Sequence, residues 1–69
     1  MLRNIEAERA RQGKNKEQLA KDLGISVKTY YNWINEETDI PGSALLKLAK
    51  IFSVSIEYLL TGSKFADNS

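Results

Sequence analysis

GKNKEQLAKDLGISVKTYYNWIN, residues 13–35, holds two helix-length segments divided by a glycine. Asn15 is a good N-cap, because its side-chain oxygen can accept from backbone N–H groups that a first helical turn leaves unpaired. Leu19, Ala20 and Leu23 follow at i, i+1 and i+4, on one face. Gly24 stops the segment, since it takes positive φ without a steric penalty. Ser26 caps a second segment over 27 to about 35. There Tyr30, Trp33 and Ile34 supply an apolar stripe at i, i+3 and i+4. A joint as short as Leu23-Gly24-Ile25-Ser26 can turn two helices by about 90 to 120°. Ala20 lies where the helices must approach closely, and a larger side chain would hold them apart. Leu19, Leu23, Ile25, Tyr30 and Trp33 can then meet in one small core.

Outward from this pair the chain continues as helices. The N-terminal segment, roughly 2–12, has a thin stripe of Leu2, Ile5 and Ala10 and ends at Gly13, a natural C-cap. After residue 35 comes the loop EETDIPG, 36–42, in which Pro41 and Gly42 are expected to exclude helix. Ser43 is the expected N-cap of a fourth helix carrying Leu45, Leu48, Ala49 and Phe52 at i, i+3, i+4 and i+7. Ser55 caps a short fifth helix, Ile56 to Leu60, which Gly62 ends. Residues 63–69 read as a polar, frayed tail. No strand pattern or repeat is present, so the sequence predicts an all-α fold of five helices, with one domain over 1–62.

Composition narrows the chemistry. The 69 residues include no cysteine and no histidine. A disulfide framework, a thiolate zinc site, a cysteine nucleophile and the commonest general base are therefore excluded. No glycine-rich phosphate loop and no carboxylate pair with an evident pocket is present, so the enzyme reading is poor and no cofactor or small-molecule ligand is implied. Nothing approaches the roughly 18 apolar residues of a membrane span, and a soluble, cytoplasmic protein is expected. The net charge of +1 conceals a split. Residues 1–35 carry seven bases and four acids, and residues 36–69 carry three bases and five acids. A basic first half suits a nucleic-acid face, though basic residues are also ordinary solvated surface.

Residues 13–62 resemble the helix-turn-helix domains of the Cro and phage-repressor family, often called the XRE family. The likeness rests on the quoted stretch, with the helix-turn-helix at 16–35, and on KLAKIFSVSIEYLLTG, residues 47–62. It implies a five-helix lambda-repressor-like domain that binds double-stranded DNA. In the family the third helix enters the major groove, its N-terminal residues facing base edges. The matching positions are Val27, Lys28, Thr29 and Asn32. Lys28 can donate to guanine, Asn32 can pair with adenine, and Val27 or the Thr29 methyl can touch a thymine methyl. The plain alternative is that they form the exposed face of an amphipathic helix. The start of the second helix is where such domains clamp a phosphate. Asn15 and Lys16 match that site, Lys14 adds charge, and Asn35 matches a further backbone contact. Asn15 can also serve only as a cap. Tyr30 and Trp33 share a stripe with Ile34 and read as core rather than as a base-stacking surface. Tyr31 points elsewhere, and its hydroxyl could reach a phosphate.

Several positions depart from the family pattern. A glutamate near the end of the third helix often pairs with a first-helix arginine. Arg9 is in place, but the glutamate position holds Ile34, leaving Arg9 to pair with Glu36 or to approach DNA. Position 36, often glycine, is Glu36. The following loop is often basic, whereas Glu36, Glu37 and Asp39 would repel a phosphate chain, by an amount that salt screens. That loop is expected to swing clear of DNA or to face a protein partner. The leading expectation is a sequence-specific regulator of phage or mobile-element type, acting as a homodimer. Tyr58, Leu59 and Phe65 are candidate dimer contacts, with monomer core as the alternative for Tyr58 and Leu59. A protein-interaction module of the same fold, such as an antitoxin or co-activator, is the second reading.

Overall fold

A computed structural model describes residues 1–61. Its elements are α1 (Arg3–Arg11), α2 (Lys16–Leu23), α3 (Val27–Ile34), α4 (Gly42–Phe52) and α5 (Ile56–Leu60), and no strand occurs among the described residues. Gly62, Phe65 and the expected tail lie outside the described residues. No described helix is long and apolar enough to cross a membrane.

The α2–α3 joint forms as its residues require. Asn15 caps α2 in an extended conformation, its side chain accepting from the Gln18 N–H at 2.7 Å. Gly24 sits at φ +72°, the left-handed region that favours glycine. The Gly24 N–H donates to the Lys21 carbonyl and the Ile25 N–H to the Ala20 carbonyl, so two of the last carbonyls of α2 are satisfied. Ser26 caps α3 by accepting from the Thr29 N–H at 3.1 Å. Ala20 is buried at the close approach.

The core joins Leu2 and Ile5 of the N-terminal segment to Leu19, Ala20 and Leu23, to Tyr30 and Ile34, and to Leu48, Phe52 and Leu59. Ile34 is buried, and its carbonyl accepts from the Leu2 N–H at 2.9 Å. Polar ties hold the ends together: Gln12 Nε2 donates to the Phe52 carbonyl, and Asn4 Nδ2 to the Tyr58 carbonyl and Thr61 Oγ1.

Two sequence expectations are corrected. Ala10 is exposed; the α1 face turned inward carries Glu8 instead, 2% exposed and satisfied by Tyr58 and Arg11. Helix α4 starts at Gly42, with Pro41 rather than Ser43 at the cap. The Pro41 carbonyl accepts from Ala44 and Leu45, and a proline there gives up no ladder bond, since it has no N–H to place. Trp33 is half-buried, packed against the core from outside. Leu59 is 0% exposed within the single chain, which fits the monomer-core alternative given for it. Tyr58 is half-buried, its hydroxyl donating to Glu8 at 2.9 Å.

Candidate nucleic-acid interface

Helix α3 presents two unlike faces. Tyr30 and Ile34 point into the core. Lys28, Tyr31, Asn32 and Asn35 follow one another at i, i+3, i+4 and i+7, and so share the opposite face. Lys28, Tyr31 and Asn35 are exposed and Asn32 is half-exposed. The side chains of Lys28 and Asn32 make no hydrogen bond or ion pair among the described residues. Their donors and acceptors are thus available to an outside partner. Val27 and Thr29 are more committed. Val27 packs against the core, and the Thr29 hydroxyl accepts from Ser26 Oγ at 3.0 Å.

The start of α2 adjoins this face. Asn15 and Gln18 form a reciprocal capping box, Gln18 Oε1 accepting from the Asn15 N–H at 3.1 Å. That box uses the third amide of the first turn. The amides of Lys16 and Glu17 have no partner among the described residues, and at a helix N-terminus such N–H groups attract an anion. Sequence reasoning misses Gln18; the N-x-x-Q spacing of 15–18 is the signal that finds it. The Lys16 ammonium stands 5.1 Å from the centroid of the Tyr31 ring, joining the two helices by a cation–π contact. Lys16, Tyr31 and the two amides therefore come together. Lys14 does not join them fully: its ammonium lies 3.3 Å from Asp22, which offsets its charge.

Behind this surface, Arg9 does not pair with Glu36. Its guanidinium pairs with Glu6, one helical turn back, at 3.1 and 3.0 Å, and also reaches the Lys14 carbonyl at 2.7 Å. Glu6 is at i−3 on the same helix, within reach without any loop rearrangement. The Tyr30 hydroxyl donates to the same carboxylate. Burial works against the charge on Glu6, but the donors Arg9 and Tyr30 and the nearby Lys16 outweigh it and hold the carboxyl below its ordinary range. Burial and the bond to Glu6 push the Tyr30 phenol well above its ordinary range. The acidic loop stays apart from this network. Glu36, Glu37 and Asp39 are exposed, and the Glu36 carboxylate meets the N-terminal amine at 2.7 Å.

No grouping of His, Cys, Asp or Glu able to hold a metal occurs among the described residues. No curated protein shows a significant match to the chain. A family model described as helix-turn-helix matches residues 5–59, most of its length. With five helices, a glycine joint between α2 and α3 and an exposed α3 face, the chain belongs to the helix-turn-helix family of DNA-binding domains of the Cro and phage-repressor (XRE) type.

Proposed function

We propose that the protein is a sequence-specific transcriptional regulator of phage or mobile-element repressor type, acting in the cytoplasm and reading the major groove with α3. The observation that carries this is the exposed stripe of Lys28, Tyr31, Asn32 and Asn35 beside the unpaired amides of Lys16 and Glu17. One face then offers base-edge chemistry and an anion cradle together. Lys28 and Asn32 would carry most of the reading. Val27 and Thr29, held by the core and the cap, would contribute methyl contacts. Lys16, Asn15, Tyr31 and Asn35 would position the backbone, with Lys14 in a lesser role.

A homodimer fits this function, because two recognition helices about 34 Å apart double the interface of a small module. With Leu59 consumed by the core, the apolar residue that α5 leaves exposed is Leu60. Selection of bound sequences from a pool of random duplexes tests the reading. Enrichment of two related half-sites one helical turn apart is expected. A pool that stays random, with no salt-dependent duplex binding, sinks it. The exposed acids of the 36–39 loop favour the second reading, a module whose main partner is a protein. Salt-insensitive or absent DNA binding is the result that reading requires.

A further inference from the structure

Glu6 is an acid set behind the cations of the proposed DNA face, paired with Arg9 at 3.0 Å. Its side chain is 19% exposed and accepts three hydrogen bonds, two from Arg9 and one from Tyr30. The remaining Arg9 nitrogen, Nη1, donates to the Lys14 carbonyl, and the Lys14 N–H donates back to the Arg9 carbonyl at 3.1 Å. Lys14 is followed at once by Asn15, the cap that sets where the free amides of Lys16 and Glu17 stand. Tyr30 is next to Tyr31 on α3, ring centroids 6.5 Å apart, and Tyr31 carries the Lys16 ammonium over its ring. One carboxylate therefore links the buried face of α3 to the backbone that enters α2.

We propose that Glu6, Arg9 and Tyr30 are positioning residues for phosphate binding, holding the Lys14–Glu17 cradle and the reading face of α3 at one fixed spacing. The carboxylate orients the guanidinium, the guanidinium fixes the Lys14 carbonyl, and the phenol ties both to α3. This rests on the DNA-binding reading above. A planar, pre-oriented guanidinium suits the task, because its donors serve the carboxylate and the carbonyl at once.

Positioning and plain charge predict opposite signs for Glu6→Gln. Removing a negative charge near Lys16 should strengthen attraction to phosphate, whereas loosening the cradle should weaken it. The test is binding of a labelled mixed-sequence DNA duplex, by fluorescence anisotropy over a salt series. It is run at a temperature where circular dichroism shows every variant folded. Glu6→Gln, Arg9→Lys and Tyr30→Phe are each expected to bind roughly three- to tenfold more weakly, with the slope of log K against log salt reduced by about one. Arg9→Lys keeps the charge and Tyr30→Phe changes none, so neither loss could come from electrostatics alone. Glu6→Gln binding as tightly as the parent or tighter, or Tyr30→Phe leaving affinity and slope unchanged, overturns the proposal. If Glu6→Gln does not fold, Tyr30→Phe decides it. A parent protein without salt-dependent binding removes the DNA-binding reading itself. Normal parent binding with unaffected variants removes the positioning role alone.

Discussion

Lys28 and Lys16 carry the same ammonium on neighbouring helices, and their surroundings separate their roles. Lys28 is exposed on the α3 stripe with nothing to bind within the described chain. A side chain so placed can follow a base edge. Lys16 is half-buried, held over Tyr31, at the start of α2 where the dipole and the free amides already favour an anion. It suits a phosphate, which is the same at every sequence. Lys28→Ala is therefore expected to cost about 1–3 kcal/mol on the selected site and to relax preference at one base pair. If it weakened all duplexes equally, Lys28 would be a phosphate contact and the assignment of α3 wrong. Lys16→Ala is expected to weaken binding to every duplex alike and to reduce the salt slope by roughly one. A slope equal to that of the parent removes Lys16 from the cradle.

The ends of the first four helices share one device, a residue in the left-handed region just past the last turn. Gly13, Gly24, Glu36 and Ser53 stand there at φ +70°, +72°, +61° and +57°. In each case the next residue donates back across the turn, as from Lys14 to Arg9, Ile25 to Ala20, Glu37 to Asn32 and Val54 to Ala49. Left-handed backbone costs a residue with a Cβ about 1–2 kcal/mol, and glycine nothing comparable. Ser53 is exposed, and glycine's greater freedom in the unfolded chain offsets part of the relief. Ser53→Gly is thus expected to stabilise the fold by about 0.5–1 kcal/mol, seen as a rise of a few degrees in Tm. A lower Tm would mean that Ser53 contributes something beyond its backbone. Glu36→Gly relieves the same strain but gives up an exposed ion pair worth little, so a smaller gain is expected. These ends also mark what the sequence could reveal. Gly13 and Gly24 announce their turns by residue type, and the caps Asn15, Ser26 and Ser55 by theirs. Glu36 and Ser53 hide the same geometry behind residues that rarely adopt it. Helix α4 begins earlier than expected because proline and glycine, read as breakers, are harmless in a first turn. The exposed α3 face follows from periodicity plus the family likeness. The Glu6–Arg9–Tyr30 network was not legible, since Tyr30 satisfies an apolar pattern and its hydroxyl partner lies on another helix.

Across the whole molecule, two tyrosine–carboxylate pairs fasten α1 to its neighbours: Tyr30 of α3 to Glu6, and Tyr58 of α5 to Glu8. Both phenols titrate above their ordinary value, Tyr30 chiefly through burial and Tyr58 chiefly through its bond to Glu8. A group whose pKa rises on folding contributes stability that is complete below its unfolded value and is lost as pH climbs toward the folded one. For a phenol that loss begins near pH 10. Glu6 shifts the other way. Its contribution is complete above the ordinary carboxylate value and is lost as pH falls through its lowered one. With no histidine and no cysteine, no side chain of the chain ordinarily titrates between those limits. Stability is therefore expected to be flat from about pH 6 to 9, with one decline in acid and another above about pH 10. Tyr30→Phe separates the contributions. The ring stays in the core, the Glu6 carboxylate loses one donor, and the fold is expected to lose about 1–3 kcal/mol at neutral pH. The alkaline decline should become shallower, because one of the two raised phenols is gone. The acid decline should also become shallower, because Glu6 without the Tyr30 donor titrates closer to its unfolded value and its charged form contributes less. Thermal melts across pH read all three effects. A variant with neutral-pH stability and both limbs equal to the parent's would show that the hydroxyl adds nothing to the joining of α1 and α3.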